Sequence, residues 1–277
     1  MVSNLREGAP NGKYLMIAKD LNINLILAGG QYRSGSTLIF NFLRELLNQY
    51  IFERQKKANV LSFYTDQVND IAMFESEIKN KIYSLDIESA YIIIKTHKPS
   101  EQLITFIKDN NGKIFWTHRD PRDCASSFMT QFYRDFEGSF RSIVSSCNAY
   151  LHLSKIVHPF DIIYERDLIN DNTINIFNDI ALYMGINITK NNMNEIRSKL
   201  NSKNTKEFIV ENEKNGNLNT KDPVRSADPI MLWHPNHIGD GRSGKYMAVL
   251  HEMNIRRIDF LLMDYMEQFN YNPAFFI

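Results

Sequence analysis

Three short stretches of this chain combine residue types that do chemistry together. Gly30 to Thr37 has the spacing G-x-x-x-x-G-S-T, the phosphate-cradling pattern with Ser36 where it requires lysine and with a cation, Arg33, moved inside the loop. Gly29, Gly30 and Gly35 permit tight turns, and Ser34, Ser36 and Thr37 offer hydroxyls. A helix opening there presents free N–H groups and the positive end of its dipole. Such a loop binds phosphate without the lysine of a nucleotidase. In the second stretch Lys95 and His97 stand two residues apart, so on extended backbone they project from one face. A neutral imidazole there takes a proton from an acceptor, and an ammonium beside it holds developing negative charge. The third, Arg119-Asp-Pro-Arg-Asp-Cys-Ala-Ser-Ser127, supplies two arginines suited to bidentate phosphate recognition and, roughly two helical turns on, a serine hydroxyl. Each stretch alone has an ordinary explanation: a linking turn, a solvated loop end, a surface ion-pair cluster. Two separated cradles imply a ligand with two separated phosphates.

The elements that must carry these turns are legible as apolar runs ending in polar residues. Residues 22–28 form such a run, closed by Gly29-Gly30, and Leu38, Phe42, Leu43, Leu46, Leu47 and Tyr50 follow at helical spacing. Residues 91–94 and 113–117 are β-branched runs that end in Lys95-Thr-His-Lys-Pro99 and His118-Arg-Asp-Pro121. Asp120 is the expected N-cap of the next helix and Pro121 its first residue. A fourth run, 160–164, precedes an amphipathic stretch from Leu168 to Met184 that Gly185 can terminate. The alternation predicts an α/β three-layer sandwich on a central parallel sheet, whose strand ends bring the three turns to one crevice. Residues 190–245 are rich in Asn and Lys with little periodicity and are expected to form a covering segment, before helical spacing returns over 246–269. No linker separates two units, so residues 1–277 read as one domain.

Composition narrows the function classes. The chain has 277 residues, 43% hydrophobic and 12% aromatic, and its 32 basic and 32 acidic residues cancel. That balance gives no general reason to bind nucleic acid or an acidic membrane, so any anion site is local. No run approaches the roughly 18–20 apolar residues that span a bilayer, and the first residues carry no apolar signal region, which predicts a cytoplasmic protein. Cys124 and Cys147 are the only cysteines, too few for a disulfide framework and without metal-ligand spacing.

Taken in order, Tyr32-Arg-Ser-Gly-Ser-Thr37, Lys95-Thr-His97, Arg119-Asp-Pro-Arg-Asp123 with Ser127, and Tyr164-Glu165 resemble the signature of the PAPS-dependent sulfotransferases. The likeness runs from about residue 24 to 167, with a weaker continuation in Gly241-Arg-Ser-Gly-Lys-Tyr246. The resemblance implies a P-loop-kinase-like fold and a donor, 3′-phosphoadenosine 5′-phosphosulfate, which leaves as 3′-phosphoadenosine 5′-phosphate. It assigns Arg33 to the donor's 5′-phosphosulfate, with Ser34, Gly35, Ser36 and Thr37 lining the rest. Arg119 and Ser127 fall to the 3′-phosphate and Tyr164 to the adenosine. His97 becomes the general base and Lys95 a cation beside the sulfuryl group in flight. The arginine form of the loop resembles the carbohydrate and bacterial branches.

Two positions depart from the pattern. Leu38 stands where many members place a tryptophan against the adenine. The C-terminal R-K-G-x-x-G motif is altered, since Gly239 and Asp240 precede Gly241; Arg242, Gly244, Lys245 and His237 are the candidates to replace it. The expected reaction moves a sulfuryl group to a hydroxyl or an amine or carbamoyl nitrogen of a small molecule, with no metal because the cations are side chains. Among family branches, the chain is similar to bacterial natural-product enzymes, including cyanobacterial ones that sulfate saxitoxin-type guanidinium alkaloids. Phe63, Tyr64, Phe74 and Tyr83 with Asp66, Asp70, Glu75 and Glu77 are candidates to receive a cationic acceptor, and equally suit an ordinary amphipathic helix. Two rival classes stay open: an ATP-dependent small-molecule kinase, for which no strand-end Asp is in place, and a noncatalytic nucleotide-binding module.

Overall fold

The computed structural model describes residues 22–65, 70–83, 85–169, 173–218 and 227–275. Five parallel strands form one sheet in the order β2-β3-β1-β4-β5: β1 (Asn22–Gly30), β2 (Ala58–Tyr64), β3 (Ser89–Thr96), β4 (Lys113–His118) and β5 (Phe160–Ile163). Successive strand residues point to opposite faces, and the core divides accordingly. Leu25, Leu27, Ile92, Ile94 and Trp116 pack into one buried cluster. Their neighbours in sequence, Ile26, Ala28, Ile93 and Phe115, pack into another on the far face. With both faces covered, the central strands read as unbroken apolar runs rather than as alternation.

Helix α1 (Ser36–Glu53) lies on the second face with α6 (Thr173–Tyr183) and α7 (Lys190–Lys199), where Phe42 and Phe177 stack at 3.8 Å. The first face carries α2 (Ile71–Tyr83), α3 (Glu101–Asp109), α4 (Pro121–Phe132), α5 (Phe136–Ile156), α10 (Glu252–Leu261) and α11 (Met263–Gln268). The remaining short elements are α8 (Ser202–Lys214) and α9 (Tyr246–Val249). Asp120 caps α4 as the sequence predicts, accepting from Arg122 N–H, with Pro121 at its start. Gly185 ends the α6 region in the left-handed conformation, φ 70°.

Three expectations need correction. β2 escaped detection because it is the sheet-edge strand, only partly buried along most of its length, so its pattern carries no clean period. The covering segment is not irregular throughout: Thr189 and Asn201 cap α7 and α8, which bury few residues, chiefly Met193, Ile196 and Ile209. The C-terminal stretch is three short helices rather than one, interrupted at His251, which caps α10, and again at Leu262. Both cysteines are free and buried. Among the described residues no helix is long and apolar enough to cross a membrane.

Candidate functional site

Strand order brings the three chemical turns together. β1 is flanked by β3, with Ala28 opposite Lys95 and Gly29 opposite Thr96, and by β4, with Gly30 opposite Thr117. The loop after β1 therefore lies between the other two strand ends. Its shape is dictated by close approach: a Cβ on Gly30 would fall 1.9 Å from Thr117 Oγ1. Gly35 has φ 88°, where a side chain would also meet Leu168 and Tyr164. Ser34 is fully buried, donates to Gln31 O at 2.8 Å and shares a 2.6 Å hydrogen bond with Thr117 Oγ1, so its hydroxyl holds the loop's own form. Gln31 lies inside the Gly30 to Thr37 stretch, where its type alone suggests no chemistry. Its Oε1 accepts from Arg119 N–H at 2.6 Å and its Nε2 donates to Cys147 Sγ, tying the first turn to the third.

Lys95 and His97 do share a face, and both are buried. Lys95 Nζ donates to Ser36 Oγ at 2.9 Å and lies 3.2 Å from His97 Nε2. His97 Nδ1 is 2.7 Å from Gly30 O. A carbonyl only accepts, so Nδ1 carries the proton and Nε2 presents its lone pair. Burial, reinforced by the Lys95 ammonium, holds the imidazole well below its ordinary pKa, so it is neutral at physiological pH. Tyr32 stacks on the ring at 4.0 Å and fixes its plane. This is an imidazole in its neutral form, with a cation 3.2 Å from the ring nitrogen that carries no proton.

The third turn meets the first at an anion site. Arg33 Nε donates to Ser127 Oγ at 3.1 Å and its Nη2 to His237 O at 2.9 Å. Arg119 donates to the carbonyls of Arg33 and Arg242, and its guanidinium lies 4.2 Å from the centre of the Tyr164 ring. Burial and then Arg119 push the Arg33 pKa down to about 10. Arg119 Nε is buried without a hydrogen-bond partner among the described residues. Among the described residues no carboxylate is hydrogen-bonded to either arginine; Asp123 and Glu165 help to raise the Arg119 pKa, so the cost of buried charge falls on Arg33, where an anion would relieve it. Arg122 is different: it is buried against Asp120 and Asp259 at 2.7 and 3.1 Å, an internal ion pair outside the site. The third turn thus gives the site one arginine rather than two.

Arg33, Arg119 and Ser127 line a cavity of about 600 Å³ together with Gly35, Tyr164 and Lys245. Leu38, Leu168, Phe177 and Trp233 make its apolar wall. Phe177 and Trp233 were not foreseen. They bring aromatic rings to a cavity whose loop position has only Leu38, and Leu38 packs against the small cluster that contains Trp233. The C-terminal candidates separate. Lys245 lines the cavity, whereas the Arg242 guanidinium pairs with Asp240 at the surface, 77% exposed, and offers only its carbonyl to Arg119. Gly244 N–H and Tyr246 N–H both donate to Asp123, which pins this segment over the third turn.

The residues nominated for a cationic acceptor go elsewhere. Phe63 and Phe74 meet edge to face in the core. Glu75 pairs with Lys79 and Glu77 with Lys81, and Asp70 accepts from Met73 N–H. Asp66 and the Tyr83 side chain lie outside the described residues.

Comparison with known proteins bears on the family and the fold. Residues 24–228 match the family described as the sulfotransferase domain. A search of curated proteins gives no match. Among solved structures, a mouse sulfotransferase, SULT7A1 complexed with PAP, superposes with a TM-score of 0.58 over 91% of this chain and 86% of that one, at 17% identity.

Proposed function

Because the chain belongs to the sulfotransferase domain family, we propose that the cavity takes 3′-phosphoadenosine 5′-phosphosulfate and that His97 and Lys95 direct its sulfuryl group to a small-molecule nucleophile. The observation that carries this reading is Lys95, whose ammonium joins Ser36 of the phosphate loop to Nε2 of His97. One cation thereby touches both the loop that holds an anionic donor and the base that prepares an acceptor.

The residues fit the donor. The orphaned Arg119 Nε, the neighbouring Arg33 and Lys245 provide for phosphate charge, and the loop admits backbone approach where a Cβ at Gly30 is excluded. The apolar wall with Phe177 and Trp233 suits a purine face. A volume near 600 Å³ falls in the range of nucleotide-sized pockets. When bound, the donor supplies an activated sulfuryl group on a phosphate leaving group.

The chain's own residues do the rest. Gly30 O orients the imidazole through Nδ1–H, leaving Nε2 to take the acceptor's proton as the nucleophile adds to sulfur. Lys95 and Arg33 oppose the negative charge that grows on the departing phosphate oxygen. Arg119, Ser127 and Lys245 hold the 3′-phosphate and Tyr164 the sugar end, under residues 227–245 as cover. The acceptor is a small molecule presenting a hydroxyl, amine or carbamoyl nitrogen. A kinase reading gains no support, because β4 ends in Thr117-His118-Arg119 rather than a metal-binding Asp.

Incubation with labelled donor and an acceptor panel tests the reading, with mass detection of a sulfuryl gain. Transfer is expected from the unaltered protein and a loss of about 10²–10⁴-fold from His97→Ala. Normal turnover by that variant at saturating donor would sink the assignment of the base. Phosphoryl transfer from ATP would replace the reading altogether.

A further inference from the structure

The cover over the cavity carries a histidine that the scheme above does not use. His237 lies on the irregular segment after α8 and lines the cavity. Its backbone is fixed at both ends: its carbonyl accepts from Arg33 Nη2 at 2.9 Å and its N–H donates to His234 O at 3.0 Å. The ring is held edge-on by Trp233 at 4.8 Å and lies nearly parallel to His234 at 5.6 Å. Its Nδ1 is buried without a hydrogen-bond partner among the described residues. A buried imidazole nitrogen with no partner costs stability unless a ligand or function uses it.

The charged groups that face this ring are both cations, and its other titratable neighbours are histidines. Arg33 approaches from the loop after β1, Lys95 and His97 from the end of β3, and His234 from its own segment. Burial and these neighbours hold His237 neutral, well below its ordinary pKa. Arg119 and Lys245 line the same cavity, and Asp240, the one carboxylate there, is already paired with Arg242 and Lys245. The share of that suppression that comes from the neighbouring cations, second to burial, would be offset by an anion placed against Arg33 and Arg119.

We propose that His237 is an anion-binding residue of the donor cavity that takes up a proton from solvent when a nucleoside bisphosphate binds and returns it on release. An opposite charge within about 4–6 Å raises a histidine pKa by roughly 1–3 pH units. The ring then moves from neutral towards charged, and donor affinity becomes linked to pH. The sign follows: protonation accompanies binding, so affinity falls as pH rises between the free and bound pKa values and levels off above both. Product release is favoured by the same step in reverse. This inference rests on the donor reading above.

The test is calorimetric titration of 3′-phosphoadenosine 5′-phosphate into the unaltered protein, His237→Phe and His237→Gln, at pH 6.0 to 8.0 in two buffers of different ionisation enthalpy. Proton uptake is the readout, and it is independent of turnover. The unaltered protein is expected to take up a substantial fraction of a proton more than either variant near pH 6.5, and to bind about tenfold tighter there. His237→Phe keeps a ring against Trp233, and unliganded melting curves confirm that the variants fold. Equal proton uptake in all three proteins overturns the proposal, whatever the affinities. Weaker binding with unchanged uptake would reduce His237 to a packing residue. Failure of the unaltered protein to bind the nucleotide would overturn the donor reading together with this one.

Discussion

Replacing Arg33 with methionine separates the stability of this protein from its ligand chemistry. Arg33 is held at a pKa of about 10, below the ordinary arginine value, by burial first and Arg119 second. That difference corresponds to about 3 kcal/mol against the charged form at most, since the side chain keeps some solvent contact. The folded pKa of this base lies below its unfolded value, so the penalty is present in full below about pH 10 and is relieved only above it. Opposing it are the hydrogen bonds to Ser127 and His237 O, worth about 1 kcal/mol each, and the contact with the Phe132 ring at 4.9 Å, worth about 0.5–1. The terms nearly cancel. Arg33→Met is therefore expected to leave unliganded stability within about 1 kcal/mol, or roughly 2–4 °C in Tm. Breaking a well-paired buried charge would instead cost about 3–5 kcal/mol. The nucleotide response should differ sharply. At 100 times its Kd, 3′-phosphoadenosine 5′-phosphate stabilises the unaltered protein by about 2.7 kcal/mol. A roughly 100-fold loss of affinity in the variant leaves about 0.4 kcal/mol at the same concentration, so the shift on melting nearly vanishes. Thermal melts with and without nucleotide read both quantities. An unliganded Tm lowered by more than about 8 °C, or a nucleotide shift that survives, would refute the reasoning.

Lys95→Met is expected to lower kcat by about 10²–10³-fold and to raise the His97 pKa, because Lys95 is one cause of its depression. The acid limb of kcat/KM, expected below pH 6.5 in the unaltered enzyme, should move up; a limb that stays put breaks the coupling. Gly30→Ala drives a Cβ to 1.9 Å from buried Thr117 Oγ1 and is expected to cost about 3 kcal/mol or prevent folding. Gly185→Ala, at φ 70° with open space around it, should cost only about 1 in the same denaturant titration. Lys245→Ala should weaken nucleotide binding about tenfold and Arg242→Ala less than twofold, because only the first side chain lines the cavity. The reverse order in a binding titration would return the C-terminal motif to Arg242.

What the sequence disclosed follows from how local each determinant is. The central strands were legible because burial on both faces leaves unbroken apolar runs, and the α4 start because Asp120 and Pro121 cap it through adjacent residues. Arg33, Lys95, His97, Arg119 and Ser127 were legible as types at fixed spacing. Partners that depend on contacts across the fold were not. Gln31 reads as a loop residue until its amide is seen between Arg119 and Cys147. Arg122 resembles Arg119 in every local respect, yet Asp259, 137 residues away, takes it out of the site. Phe177 sits on an ordinary apolar helix face, and only the packing of α6 beside α1 brings it to the cavity.

The missing lysine of the phosphate loop shows how topology completes a motif. In the pattern that Gly30 to Thr37 nearly matches, a cation belongs at position 36, where this chain has serine. Lys95 stands 59 residues further on, and its Nζ donates to the Ser36 hydroxyl. The charge is thus supplied through space by β3, and it reaches there because β3 pairs with β1 in a register that sets Lys95 opposite Ala28. The exchange has a chemical consequence. A lysine carried by the loop would move with the loop and serve the donor alone, whereas one carried by β3 comes with His97 two residues away on the same face. On the proposed reading, the cation assigned to the leaving phosphate is coupled to the base assigned to the acceptor, and Lys95 helps to lower the His97 pKa. Moving the lysine back, in a Ser36→Lys, Lys95→Met double variant, should restore anion binding relative to Lys95→Met without restoring kcat. Recovery of both together would mean that the loop needs only the charge and that its attachment to β3 is incidental.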